Sequence, residues 1–445
     1  MNRERIVILG GGESGVGAAL LAKKRGYTIF LSDRGSLRPH YRAELQKEGI
    51  PFEEGGHTDQ IYQAQRVIKS PGIPENAKVL DHFREKGVTI IAEIEFAYQH
   101  CEGTLIAITG TNGKTTTTLL TQHLLERAGR KSIATGNVGY SFSRAVAEGY
   151  DFYVVEVSSF QLDGITSFRP HIAVITNITP DHLDRYHNDF EAYALSKMRI
   201  TMNQIEEDHL IVCKEDPKSL EMLSKTVVKA QLHAITLTQD QGAAAWLNGH
   251  HIIIPEKNNQ EISMTLEELA LQGRHNVYNS MAAGVAGRLI DIRKDSIKQS
   301  LSDFKNEKHR LETVATIHGV TYINDSKATN INAAWFALES QQGRVIWIAG
   351  GVDKGNDYMQ LMEQVKSRVE VLICLGKDTR KLAETFINHV EKIHKTESME
   401  EAVTMAYQAA RPGDTVLLAP ACASFDLFEN YEERGNRFIN AVKKL

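Results

Sequence analysis

The chain is short of cysteine and proline, and the residues it does have fall in no pattern that would staple or stiffen it. Cys101, Cys213, Cys374 and Cys422 are far apart and form no C-x-x-C pair, so neither a disulfide framework nor a zinc site is expected, and a reducing cytoplasm fits best. The 10 prolines make no proline-rich linker, and neither a short-period repeat nor a low-complexity tract is present. No apolar run approaches the ~20 residues a membrane helix needs. The start, MNRERIVILGGG, turns into an apolar strand at once and leaves no room for a signal peptide. Membrane insertion is therefore not expected. Positive charge is also in deficit: 51 Lys and Arg against 56 Asp and Glu give a formal net charge of −5. That is the opposite of the basic footprint of a general nucleic-acid binder, although it leaves local basic pockets for anions open.

What is present is a globular composition, 42% hydrophobic and 24% charged. At roughly 150 residues per domain, a chain of this length suggests about three domains. Short apolar runs alternate with helix-like stretches throughout, the pattern of βαβ units and parallel sheets, so the fold class is α/β. A first block holds RIVILG, TIFLSD and RVIKSPGIP and closes near residue 100 with VTIIAEIEFAYQH. A second holds TLIAIT, KSIAT, DFYVVEV, HIAVITN and HLIVC, then a hairpin around HHIIIP, with HNVYNSMAAGVAGRLI as its last helix. The charged stretch SLSDFKNEKHRLETV separates it from a third block with TYINDS, RVIWIAGG, VEVLICLG and TVLLAPA. The expected domains are residues 1–100, 101–306 and 307–445.

The most informative segment is TLIAITGTNGKTTTTLL. An apolar strand enters the turn Gly110-Thr111-Asn112-Gly113, and Lys114, Thr115 and Thr116 open a helix. Backbone N–H groups at the helix start face an anion, the lysine adds a point charge, and the neighbouring hydroxyl can hold Mg²⁺. The segment therefore predicts a nucleoside triphosphate site. The common spacing G-x-x-x-x-G-K-[ST] would put glycine at position 108, where this chain has Ile108, so the turn is a shorter variant.

A second glycine loop, Gly10, Gly12 and Gly15, follows the first strand, and Asp33 closes the next one, as a dinucleotide fingerprint requires. Alone it suggests NAD or FAD. The same geometry serves any ligand with a pyrophosphate and a ribose, a UDP-sugar included, and hydride transfer has no use for a triphosphate loop. Ser70-Pro71-Gly72-Ile73-Pro74 ends the third strand with rigid turn chemistry and extends the same ligand wall. In the second block, Glu156 ends one strand and Asn177 the next, leading into Thr179-Pro180-Asp181-His182. Both ends belong on the edge that carries the phosphate loop, where a carboxylate helps to hold Mg²⁺ and His182 with Asp181 can meet a second ion or the substrate. Lys197, from its residue type alone, reads as a helix-surface lysine, and Asn276 as a helix N-cap.

Three strings, TGTNGKTT, VEVSSFQLD and NITPDHLDRYH, together resemble the central ATPase domain of the Mur ligases, which form amide bonds in peptidoglycan precursors. The third-block strings Asn324-Asp325-Ser326-Lys327-Ala328-Thr329-Asn330 and Pro420-Ala421-Cys422-Ala423-Ser424-Phe425-Asp426, with Glu432-Glu433-Arg434-Gly435, are similar to the branch that adds D-glutamate. The resemblance spans all three blocks. It implies a Rossmann-like UDP-binding domain, a central P-loop-type ATPase domain and a C-terminal Rossmann-like domain. The implied reaction joins D-glutamate to UDP-N-acetylmuramoyl-L-alanine with ATP and two Mg²⁺, in the cytoplasm and as a monomer. Two other readings stay open: a Mur-type ligase for another amino acid, and a non-catalytic UDP-sugar or nucleotide-binding relative.

Residue roles follow from the same resemblance. Lys114, His182 and Lys197 are the expected catalytic residues, with Lys197 carbamylated by CO₂ and, with Thr115, Glu156 and His182, placed around the metal ions. Gly110, Thr111, Asn112, Gly113, Lys114, Thr115, Thr116, Asn276, Arg310 and Asp325 are expected to bind ATP, with His275 and Asn279 as further contacts. Glu13, Ser14, Asp33, Arg34, Ser70, Gly72, Asn137 and His182 are expected on the UDP-substrate side. Glu13 stands where some relatives have an apolar residue, and beside a pyrophosphate its carboxylate should point away or toward sugar hydroxyls. Lys327, Thr329, Lys354, Ser424 and Phe425 are expected to hold D-glutamate, whose two carboxylates call for cations and hydroxyls.

Overall fold

The computed structural model describes residues 4–74, 76–137, 140–256, 260–305, 308–341 and 343–445, with the backbone only for Asp184. Among the described residues the strands form three sheets. The first holds β1 (Arg5–Leu9), β2 (Thr28–Asp33), β3 (Phe52–Glu54), β4 (Arg66–Lys69) and β5 (Thr89–Ala92) in the order β3-β2-β1-β4-β5, all parallel.

The second holds β6 (Thr104–Thr109), β7 (Ser132–Gly136), β8 (Phe152–Glu156), β9 (Ile172–Ile175), β10 (His209–Cys213), β11 (Gln231–Thr236), β12 (Ala245–Asn248), β13 (His251–Pro255) and β14 (Glu261–Thr265). Their order is β14-β13-β12-β11-β10-β9-β6-β8-β7. Pairing is parallel from β7 to β12, and β12, β13 and β14 finish the sheet antiparallel. The hairpin expected around HHIIIP is β12–β13.

The third holds β15 (Glu312–Ile317), β16 (Val320–Asn324), β17 (Val345–Ala349), β18 (Val369–Leu375), β19 (Lys392–Thr396) and β20 (Thr415–Leu418) in the order β15-β16-β20-β17-β18-β19. Only the β15–β16 pair is antiparallel.

The continuous apolar run of β17 shows why these strands need no polar face. Val345, Trp347 and Ala349 enter one core cluster and Ile346 and Ile348 the other, because alternate side chains leave opposite faces of a sheet covered on both sides. Trp347 is fully buried, and its indole N–H donates to the Ala419 carbonyl at 2.8 Å. Truncating it to alanine would cost roughly 3–5 kcal/mol.

The chain divides into two compact units: Met1–Ile178, Asp189–Leu269 and Tyr278–Asp303 form one, and Thr179–Asn188, Ala270–Val277 and Phe304–Leu445 the other. The first unit contains both of the first two sheets, fastened by buried carboxylates of the helix Glu93–Tyr98. Glu95 accepts the backbone N–H groups of Thr166, Ser167 and Phe168 at 2.9–3.0 Å. Glu93 accepts that of Ser143 at 2.6 Å. The domain boundary expected at residue 306 lies outside the described residues.

Two expectations are corrected here. HNVYNSMAAGVAGRLI is not the last helix of its block: the helix Arg274–Leu289 is followed by Lys294–Asp303, held by His123 and Arg127 on the Asp303 carboxylate. The charged stretch that follows is correspondingly not all separator, since it begins in that helix and ends in β15. All four cysteines are free thiols. No helix among the described residues is long and apolar enough to cross a membrane.

Candidate active site

The phosphate loop leaves β6, which lies between β8 and β9, so the ends of both neighbours flank it. The end of β9 holds the loop in shape. Thr111 N–H donates to the Asn177 carbonyl at 2.8 Å. Asn112 N–H donates to Asn177 Oδ1, and Asn177 Nδ2 returns a bond to the Asn112 carbonyl, each at 3.0 Å. Gly113 is the N-cap of the helix Lys114–Arg127, whose Thr115 and Thr116 are buried. Lys114 Nζ folds onto the loop carbonyls of Gly110 (3.0 Å) and Thr111 (2.7 Å).

Lys197 departs from the surface lysine that its residue type suggests. It is 2% exposed, and its ammonium donates to the same Gly110 carbonyl at 2.6 Å. It also lies 4.6 Å from the Tyr193 ring centroid, whose hydroxyl reaches Thr111 Oγ1 at 3.1 Å. Two lysine ammonium groups thus converge on one carbonyl of the phosphate loop. Lys197 is there because the helix Phe190–Met198, capped by Asp189, carries Tyr193 and Lys197 at i, i+4 on one face.

Glu156 ends β8 in register with Ile108 of β6. It is 2% exposed. One carboxylate oxygen accepts from Asn137 Nδ2 at 2.8 Å, while the other, also buried, makes no hydrogen bond among the described residues. A buried carboxylate oxygen without a donor suits a cation, and a carboxylate with a hydroxyl such as that of Thr115 is the kind of donor set that Mg²⁺ takes. Among the described residues no three His, Cys, Asp or Glu side chains gather as ligands.

At the first glycine loop, the Asp33 carboxylate accepts N–H groups from Gly11 and Gly35 and so fixes the loop itself. Ser70 Oγ is buried without a hydrogen bond among the described residues, beside Gly10, and Gly72 follows in the same turn. Glu13 turns away from the loop: Ser141 N–H donates to it at 3.0 Å and Arg144 Nε at 2.8 Å. Its carboxylate is therefore engaged by the Arg144 guanidinium and the Ser141 N–H. Ser14 lies in the first turn of the helix Glu13–Lys24, and Arg34 is exposed.

The second unit holds the remaining expected residues except Asn279, which belongs to the first unit. His182 has φ 51°, is half exposed and lies 3.8 Å from the Asp181 carboxylate. The Asp181 carboxylate also accepts from the His182 N–H at 2.9 Å and from Asn330 Nδ2 at 3.0 Å. Asn276 is not an N-cap, because its helix begins at Arg274. It is buried in the first turn, and its Nδ2 reaches back to the Gln272 carbonyl at 2.8 Å. Asn276 and Arg310 line a cavity of about 650 Å³ with Gln272, Lys308 and Ser340. Burial, with Arg310 nearby, pushes His275 down to about 4. Burial holds Asp325 up at about 6, and its carboxylate accepts the Leu311 N–H at 3.3 Å.

The adjacent parallel strands β16, β20 and β17 end in the loops of Lys327 and Thr329, of Ser424 and Phe425, and of Lys354. Topology therefore brings the five expected D-glutamate residues to one sheet edge. Lys327 Nζ lies 5.1 Å from the Tyr431 ring centroid, Ser424 is buried and Phe425 is 71% exposed.

Residues 5–79 match the MurD N-terminal domain, residues 108–287 the Mur ligase middle domain and residues 309–422 the Mur ligase glutamate ligase domain. Over 444 residues the chain is 49% identical to a UDP-N-acetylmuramoylalanine--D-glutamate ligase of Christiangramia forsetii, covering 99% of this chain and 100% of the relative. The chain belongs to the Mur ligase family. A relative of the same name from Porphyromonas gingivalis is 48% identical, covering 99% of this chain and 98% of the relative. Among solved structures, a pseudomurein peptide ligase type C of Methanothermus fervidus matches with a TM-score of 0.66 at 20% identity, over 99% of this chain and 100% of that one. A UDP-N-acetylmuramate-alanine ligase of Thermotoga maritima matches with a TM-score of 0.64 at 18% identity, over 99% of each chain. These two support the shared fold: three α/β domains, mostly of parallel sheets.

In this Mur ligase the sequence pattern passed over the role of Arg434. The residue is 1% exposed and stitches the loops after β16, β20 and β17. Its guanidinium donates to the Ser326 carbonyl and hydroxyl at 2.9 and 3.0 Å, to the Cys422 carbonyl at 3.1 Å and to that of Gly350 at 3.5 Å. Burial lowers it to about 10. The only sequence signal was its place inside the string Glu432-Glu433-Arg434-Gly435.

Proposed function

We propose that this Mur ligase joins D-glutamate to UDP-N-acetylmuramoyl-L-alanine at the expense of ATP, in peptidoglycan precursor synthesis. The observation that carries the reading is the phosphate loop with Lys114 and the donor-free Glu156 oxygen on the same edge of one sheet. A carboxylate does not accept an amine at neutral pH. The substrate carboxylate therefore attacks the γ-phosphorus, the bond to the β-phosphate oxygen breaks, and ADP leaves. The D-glutamate amine then adds to the acyl carbon, loses a proton, and the C–O bond to phosphate breaks. Lys114, moving from the loop carbonyls to the phosphates, balances charge on the transferring group, and the loop N–H groups orient it.

Mg²⁺, held by Thr115 and Glu156, supplies Lewis-acid neutralisation of the phosphate oxygens. A second Mg²⁺ near His182 and carbamylation of Lys197 are part of the proposal, and an unmodified, metal-distant Lys197 in a high-resolution map at near-neutral pH would count against the latter. Asn276, Arg310 and Asp325 hold the nucleotide. Ser14, Asp33, Arg34, Ser70, Gly72, Asn137 and His182 hold the UDP substrate, and Lys327, Thr329, Lys354, Ser424 and Phe425 hold D-glutamate. We place the enzyme in the cytoplasm as a monomer, with domain boundaries near residues 100 and 306.

The test is ADP release with UDP-N-acetylmuramoyl-L-alanine, ATP and Mg²⁺ against a panel of amino acids, with the product identified by mass. Turnover with D-glutamate is expected. Turnover only with another amino acid would move the chain to a different Mur-type specificity.

A further inference from the structure

Glu13 is the first residue of the helix Glu13–Lys24, the position from which the helix N-terminus favours the phosphates of a bound UDP group. A free carboxylate there would compete with those phosphates for the same N–H groups and repel them. The structure shows where its charge goes. Arg144, in the helix Phe142–Glu148 of the second block, donates to Glu13 Oε1 at 2.8 Å and Oε2 at 3.2 Å. Its other edge meets both Glu44 oxygens at 2.6 and 3.0 Å. The Arg144 side chain is 12% exposed and those of Glu13 and Glu44 27% and 31%. Both of these edges are thus committed to forked pairs, the stronger geometry for an arginine. Arg144 also draws the Glu44 carboxyl below the usual carboxylate range.

A second observation fixes the approach of the two helices. A Cβ at Gly17, one turn along from Glu13, would collide with the Ser141 hydroxyl and come within 3.2 Å of the Arg144 Cβ. Asn137, a short way before Arg144 in the chain, holds Glu156 with its side chain. Two residues close in sequence thus touch the carboxylate beside the phosphate loop and the glycine loop of the first sheet.

We propose that Arg144 is a positioning residue for the UDP substrate: it draws the Glu13 carboxylate off the helix N-terminus and fixes the glycine loop against the second sheet. The inference rests on the reading of that loop as the UDP-substrate site. The full-length enzyme is assayed by ADP release, varying UDP-N-acetylmuramoyl-L-alanine and ATP in turn, with melting curves to confirm folding. In R144Q the KM for the UDP substrate should rise about tenfold or more while the KM for ATP stays within twofold. The double variant E13Q/R144Q should recover most of that loss, because the released charge is gone. An unchanged KM in R144Q, or a double variant no better than R144Q, would overturn the proposal. Should R144Q not fold, R144K carries the test: it keeps the charge, loses the fork and should raise the same KM at least threefold, an unchanged KM overturning the proposal. Absence of turnover by the parent enzyme would overturn the functional reading and this inference with it, whereas an active parent indifferent to R144Q defeats this inference alone.

Discussion

Replacing Gly113 by alanine asks how strictly phosphate binding depends on the backbone shape of its loop. Gly113 caps the helix Lys114–Arg127 at φ 82° and ψ −11°, a left-handed conformation that costs an alanine roughly 1–2 kcal/mol. The new Cβ would stand 2.5 Å from Asn279 Oδ1, well inside van der Waals contact, so Asn279 has to move. With it goes the acceptor of the buried Thr117 hydroxyl, which donates to that oxygen at 3.1 Å. Leaving the hydroxyl buried without an acceptor adds ~1–3 kcal/mol. If the loop must regain its shape before phosphoryl transfer, a penalty of about 2–5 kcal/mol lowers kcat/KM for ATP by roughly 30-fold to several thousand-fold. The assay is steady-state ADP release with ATP varied and the other substrates saturating. The KM for the UDP substrate should stay within twofold, because the Gly10–Gly15 loop is a separate structure. A folded G113A enzyme whose kcat/KM for ATP lies within threefold of the parent would refute the reasoning.

Glu156→Gln keeps an acceptor for Asn137 Nδ2 but removes the charge, so the Mg²⁺ concentration for half-maximal rate should rise at least about tenfold. An unchanged Mg²⁺ titration would remove Glu156 from the metal site. Burial raises Glu93 from 4.5 to about 7, so between those values the folded chain keeps a proton that the unfolded chain releases. Stability from this group is complete below about pH 4.5 and is lost as pH climbs to about 7, by on the order of 3 kcal/mol. Glu93→Gln still accepts from Ser143 and should flatten that slope in denaturant titrations across pH 4.5–7, whereas an unaltered slope would show that the group does not titrate there.

The strands that apolar patterning revealed and those it missed differ in their place in the sheets. β6, β8, β17 and β18 are covered on both faces and carry the apolar runs LIAI, FYVV, VIWIA and VLICL. β3, β14, β15 and β19 escaped notice, and each is the last strand at an edge of its sheet. An edge strand has one hydrogen-bonded neighbour and often an exposed face, so FEE and KIHKT can be strands with little apolar content. β11 is the exception, lying inside the second sheet, and its first two residues are exposed. The phosphate loop was legible because its chemistry is local: strand, turn, cap and lysine lie within a few residues. The convergence of Lys197 on the same carbonyl was not, since 87 positions separate it from Gly110, and only the resemblance to the Mur ligases singled it out.

Glu13 marks where residue-by-residue reading stops. Its neighbours in sequence are the glycines of a turn expected to bind phosphate, and that context alone assigns it to the ligand. The assignment changes because Arg144 arrives from 131 positions away. Arg434 makes the same point at the third sheet, reaching Ser326 across 108 positions. A buried guanidinium needs carbonyls or carboxylates around it in space and asks nothing of the residues beside it in the chain, so it leaves no local pattern. Residues that touch ligand stand in constrained turns and announce themselves. The arginines that hold those turns together are visible only once the chain is folded, and a tally of motifs alone assigns the whole of the site's precision to the wrong residues.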